Sequence, residues 1–259
     1  MSTTATLAPH PKPALKRLMW IGMLVLCVIA AAVVIRRITA LVSPPTNVPA
    51  QLAGLDQVFA NKEAITLTHI IPGLAFVILV PFQLSRSWRN RHLRAHRWMG
   101  RIVMILGIII GVSGLGMSVR PIGGAVEASA TIFFDFFFLF ALAKAYLHIR
   151  RREIDLHREW VIRAMAIALG IATVRPVMGV FFATSRITGL TPHEFFGIAF
   201  WIGFSLTYVA GELWIRYTRW RARSELPSAQ SRIPLYAMNC RSRAIRRKEA
   251  PTDSDEPFC

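Results

Sequence analysis

Six apolar runs divide the chain, at residues 18–35, 64–84, 99–118, 126–147, 160–183 and 195–215. Each is long enough to cross a hydrocarbon core of about 30 Å as a helix rising about 1.5 Å per residue. The runs are continuous, without the two-residue alternation of a membrane β-barrel strand. The pattern predicts an all-α fold, a polytopic membrane bundle of six transmembrane helices.

The polar stretches between the runs set the rest of the organisation. Residues 1–17 read as a disordered amino-terminal arm, and 36–63, with Pro44, Pro45 and Pro49, as an external loop. Residues 64–216 form the core membrane domain, and 217–259, basic and then acidic, a disordered tail. The run 18–35 competes with a signal peptide, because Ala30-Ala31-Ala32 resembles a cleavage site. It stays apolar to Ile35 and stops at Arg36-Arg37, which favours an uncleaved first span. Gly107, Gly111 and Gly114 make one small face on the third span, suited to close helix approach. The fourth span is rich in phenylalanine, and Pro176 should kink the fifth.

Composition agrees with this class: 54% of the 259 residues are hydrophobic, and the mean hydropathy is +0.44. The net charge of +17 would ordinarily point to nucleic acid. Here the positive residues flank apolar runs, so membrane topology and anionic lipid headgroups explain them better, and no nucleic-acid partner is expected. With the amino terminus, the second-to-third and fourth-to-fifth connections and the tail on one side, that side holds 25 of the 31 Lys and Arg. The asymmetry predicts that both termini face the cytoplasm. The three cysteines show no CxxC or metal-type spacing, so neither a disulfide framework nor a thiolate metal site is expected.

Two basic hairpins stand out. The first carries Arg86, Arg89, Arg91, Arg94, Arg97 and Arg101; the second carries Arg150, Arg151, Arg152, Arg158 and Arg163. His96-Arg97 and His157-Arg158 each precede a tryptophan (Trp98, Trp160) and an arginine (Arg101, Arg163), and each opens an apolar helix. The echo predicts two similar hairpins forming a four-helix core, with the first and sixth spans outside it.

The sequence His69-Ile70-Ile71-Pro72-Gly73, then Pro81-Phe82-Gln83, then His96-Arg97-Trp98-Met99-Gly100-Arg101, then His157-Arg158-Glu159-Trp160-Val161-Ile162-Arg163 with Arg175-Pro176, resembles one family. It is the group of predicted bacterial membrane proteins catalogued as domain of unknown function twenty-three-oh-six, and the resemblance covers residues 69–216. It implies a multi-pass protein of the bacterial cytoplasmic (inner) membrane. It implies no activity.

Three sets of residues are candidates for chemistry. His69 lies inside the second span, and an ionisable group at such depth is a functional candidate. The alternative reading is a neutral histidine bonded to a neighbouring helix. His96 and His157 open two helices at matched depth, as ligation of a haem b by two histidines requires, with His69 as a further candidate ligand. They also suit plain interfacial roles, capping helices or bonding lipid phosphate. Asp135 and Arg175 lie inside sequential antiparallel spans, which predicts an ion pair and, with His69, an intramembrane polar layer. Arg120, Glu127 and Glu194 would line the mouth of a cavity there.

No phosphate loop, GxGxxG, GxSxG or HExxH pattern occurs, so soluble-type catalysis is unsupported and no catalytic residue is assigned. Three classes fit, in this order: a non-enzymatic factor binding lipid or a partner, a transporter of a small solute, ion or proton built on His69, Asp135 and Arg175, and a b-type haem electron carrier. A membrane protein partner or a homo-oligomer is compatible with each.

Overall fold

The structure, a computed structural model, describes residues 13–43 and 50–230. Most of the amino-terminal arm and the tail beyond residue 230 lie outside the described residues. Residues 13–215 belong to one compact unit, and the end of the last helix, from Arg216, belongs to another.

Among the described residues all regular structure is helical: α1 (Pro13–Val42), α2 (Ala50–Ala60), α3 (Glu63–Leu84), α4 (Arg86–Arg91), α5 (Leu93–Met117), α6 (Gly124–Arg150), α7 (Ile154–Thr188) and α8 (Pro192–Gln230). Six of them, all but α2 and α4, are long and apolar enough to cross a membrane. This follows from a backbone that finds no hydrogen-bond partner in hydrocarbon unless the helix supplies its own.

The helices outrun the apolar runs at their ends. α7 has 35 residues, a length of about 52 Å that exceeds the hydrocarbon thickness. Arginine, glutamate and alanine keep a helix going in water, so the end of hydrophobicity is not the end of the helix. Two expectations change, the first through a separate helix and the second through such an extension. The external loop contains α2, and the tail expected to be disordered from residue 217 is helical as far as Gln230. The first basic hairpin is also helical, because the Ser85 hydroxyl accepts the Trp88 N–H (3.3 Å) and starts α4.

α3 pairs with α5 and α6 with α7, so each basic hairpin joins two tightly packed antiparallel helices. α5 against α6 links the two pairs, and α1 packs on both α3 and α7. The small face of α5 receives α6: a Cβ on Gly107 would lie 2.7 Å from Leu142, and one on Gly111 would lie 2.6 Å from Leu139. The phenylalanines of α6 divide by helical period. Phe134 and Phe138, at i and i+4, are buried, while Phe133, Phe136 and Phe140 are exposed toward the lipid side.

α8 joins the same core through Phe195, Phe196, Ala199 and Phe204, so the core is not confined to four helices. Phe204 stacks on Phe134 with ring centroids 5.0 Å apart. Gly203 lets α8 approach α7 as well, since a Cβ there would sit 2.7 Å from the backbone nitrogen of Val174.

Candidate functional site

Alternating helix direction puts both basic hairpins at one end of the bundle. Nine of the hairpin arginines are exposed: Arg86, Arg91, Arg94, Arg97, Arg101, Arg150, Arg151, Arg152 and Arg158. None of the nine pairs with a carboxylate among the described residues. Two lie on aromatic rings, Arg101 over Trp98 (5.1 Å) and Arg150 over Tyr146 (5.9 Å). Arg89 is half-buried. Arg163 differs from the rest. It lies over Trp160 at 4.6 Å and forms ion pairs with Glu212 and with Glu159, so it ties α7 to α8 rather than facing lipid.

His157 donates from Nδ1 to the Ala145 carbonyl oxygen at 2.8 Å, which fixes the tautomer and leaves Nε2 with a free lone pair. His96 opens α5, the helix packed on α6, which carries Ala145. Its Nδ1 is buried without a hydrogen-bond partner. Gln83 holds the entry of α5, donating to the His96 carbonyl at 3.1 Å.

The intramembrane layer forms only in part. His69 Nδ1 lies 3.1 Å from the Ile110 carbonyl and 3.0 Å from the Ser113 hydroxyl. A carbonyl can only accept, so the proton is on Nδ1. Asp135 packs on the next residue of α5, Gly114. His69 from α3 and Asp135 from α6 therefore flank consecutive positions of one helix.

The expected ion pair between Asp135 and Arg175 does not form. Asp135 turns toward α5, with Oδ2 buried and unpartnered. Arg175 turns toward α1, where it lines a cavity with Arg36 and Arg37. Consecutive helices bring two residues to neighbouring heights, but helix rotation sends their side chains to different sides of the pair. The expected mouth residues are engaged locally. The Arg120 carbonyl accepts from Lys62, Glu127 accepts the Gly123 N–H at 2.5 Å, and Glu194 accepts the Thr191 N–H and hydroxyl, each at 2.8 Å.

The cavity between α1 and α7 has no counterpart in the sequence reading, which took Arg36-Arg37 as the stop of the first span. It measures about 220 Å³, and Val33, Met178, Gly179 and Phe182 complete its wall. Asp56 of α2 binds Arg36 through both carboxylate oxygens (3.0 and 2.9 Å) and also pairs with Arg37. Arg37 stacks at 4.0 Å over the Phe59 ring. The signal was present in the sequence: α1 and α7 run in the same direction, and Arg36 and Arg175 fall at similar heights along them.

No group of three or more His, Cys, Asp or Glu suited to a metal ion occurs among the described residues. No curated protein and no solved structure matches the chain. The family described as Predicted membrane protein (DUF2306) matches residues 66–215, which spans α3 to α8 and contains the hairpins, the paired histidines, His69, Asp135 and Arg175. By that match, over more than half of its length, the chain belongs to the DUF2306 family of predicted membrane proteins.

Proposed function

We propose that the protein is a non-enzymatic membrane factor whose basic end engages anionic phospholipid headgroups. One observation carries this reading: nine exposed arginines, from two hairpins at one end of the bundle, have no carboxylate partner among the described residues. Each cation near an anionic leaflet contributes about 1 kcal/mol, and the guanidinium fork matches phosphate geometry. The flanking Trp98 and Trp160 suit the headgroup depth at which tryptophan concentrates.

The test compares retained lipid in purified protein. The chain with Arg86, Arg91, Arg94, Arg150, Arg151 and Arg152 all changed to glutamine should lose most of its preference for phosphatidylglycerol over phosphatidylcholine. An unchanged preference sinks the reading.

A second reading has its own observation. His157 presents a free Nε2, held in place by Ala145, and His96, at the same end of the bundle, has a buried Nδ1 without a partner. Bonding of one ring nitrogen to a carbonyl is the usual support for a histidine ligand, and the pair would serve a b-type haem electron carrier. A Soret band that shifts on dithionite reduction and is absent from His96→Ala and His157→Ala supports it. A colourless protein, made with ample haem, removes it.

A further inference from the structure

The arginine cavity lies at the opposite end of the bundle from the hairpins and asks a separate question. Arg175 comes from α7, and its Nε is shut off from solvent with no hydrogen-bond partner. A guanidinium does not lose its proton in a protein, so burial cannot be relieved by neutralisation. A buried charge left alone is costly and is ordinarily matched by an opposite charge.

The nearby carboxylates do not supply that match. Asp56 is held by Arg36 and Arg37. Glu127 receives the Gly123 N–H and acts on Arg175 only through its charge, without an ion pair. Asp135 faces α5. Three arginines thus line one cavity, two of them sharing the carboxylate of Asp56. The space holds several waters, at about 30 Å³ each, or one tetrahedral oxyanion, which can accept from forked donors in more than one direction.

The rest of the wall says where such an anion comes from. Val33, Met178, Gly179 and Phe182 are apolar, and a Cβ on Gly179 would meet nothing within 4 Å. Val33 of α1 and Met178 and Phe182 of α7 come from the facing sides of the two packed helices, so the apolar part of the wall follows their seam. Arg36 and Arg37 follow the last residue of the apolar run 18–35, so the cavity lies where the hydrophobic stretch of α1 ends. We infer that the cavity between α1 and α7 is a phosphate-group site, placed to take the headgroup of one phospholipid with its chains along the seam between the two helices.

The experiment uses the full chain carrying the six hairpin glutamines, so that the remaining tight lipid reports this cavity and not the basic end. Delipidated protein is titrated with phosphatidylglycerol and followed by native mass spectrometry, and in a second arm with inorganic phosphate followed by thermal shift. One lipid should bind tightly, and Arg175→Gln should weaken it roughly tenfold or more, as expected for lost charge-assisted hydrogen bonds. Gly179→Leu projects into open space, so the fold is retained. It should weaken the lipid while leaving the response to inorganic phosphate intact. Equal lipid binding by the parent, Arg175→Gln and Gly179→Leu overturns the proposal. A phosphate response lost in Arg175→Gln, together with lipid binding that neither substitution changes, assigns the cavity to a soluble anion and overturns the lipid source.

Discussion

Asp135 occupies a notch that exists because residue 114 has no side chain. A Cβ on Gly114 would collide with Oδ2 of Asp135, and α5 and α6 are held too closely by Gly107 and Gly111 to yield. Gly114→Ala should therefore cost about 1–3 kcal/mol, the usual penalty for overpacking. Asp135→Ala should remove most of that cost in the double variant. Thermal unfolding in detergent measures both, and an equal Gly114→Ala penalty in the two backgrounds would show that Asp135 is not the obstacle. A second consequence concerns Arg175. Because it faces α1 while Asp135 faces α5, Asp135→Asn and Arg175→Gln share no partner, and their effects on the melting temperature should add. A double variant markedly more stable than that sum would restore the ion pair.

At the scale of elements, α2 is fastened to α1 by one carboxylate. Burial works against the Asp56 anion, but the Arg36 hydrogen bond and the charges of Arg37 and Arg36 outweigh it and hold the carboxyl below its ordinary value. A depressed carboxyl stabilises the folded state at pH above the ordinary carboxylate value of about 3.9 and loses that contribution as pH falls through the depressed one. The α2–α1 clamp should accordingly persist through mild acid and open only below the ordinary carboxylate range. Asp56→Asn should loosen it at neutral pH. Amide exchange across residues 50–60, followed against pH in both proteins, reads the outcome. Protection of α2 that is the same in Asp56→Asn and in the parent would show that Phe59 under Arg37, rather than the ion pair, holds the helix.

For the molecule as a whole, the two hairpins lie at one end and the α5–α6 and α7–α8 turns at the other. The excess of Lys and Arg at the hairpin end predicts that this end is cytoplasmic. In a chain with its cysteines replaced by serine, Arg151→Cys should resist a membrane-impermeant maleimide in intact cells and react after permeabilisation. Gly189→Cys, in the turn after α7, should react in both. The reverse pattern would place the arginine cavity, not the hairpins, against the cytoplasmic leaflet, and would exchange the leaflets to which the two lipid-binding surfaces belong.

The six spans and the shared end of the two basic hairpins were legible in the order of residues. Hydrophobic length is a one-dimensional property, and hydrocarbon admits a backbone only as helices or closed barrels. The small face of α5 was legible as well, since Gly107, Gly111 and Gly114 recur at helical spacing. Helix ends were not, because helix continues past the apolar run wherever local propensity allows, as in residues 217–230. What the tertiary structure alone decided is which face of each helix meets which neighbour. Asp135 and Arg175 sit on consecutive helices and look paired in one dimension, yet rotation about the helix axes turns one to α5 and the other to α1. The same rotation gathers Arg36, Arg37 and Arg175, far apart in the chain, around one cavity. Hydropathy determines that a helix crosses the membrane, and packing of side chains of particular shape determines its rotation. The candidate sites depend on the second.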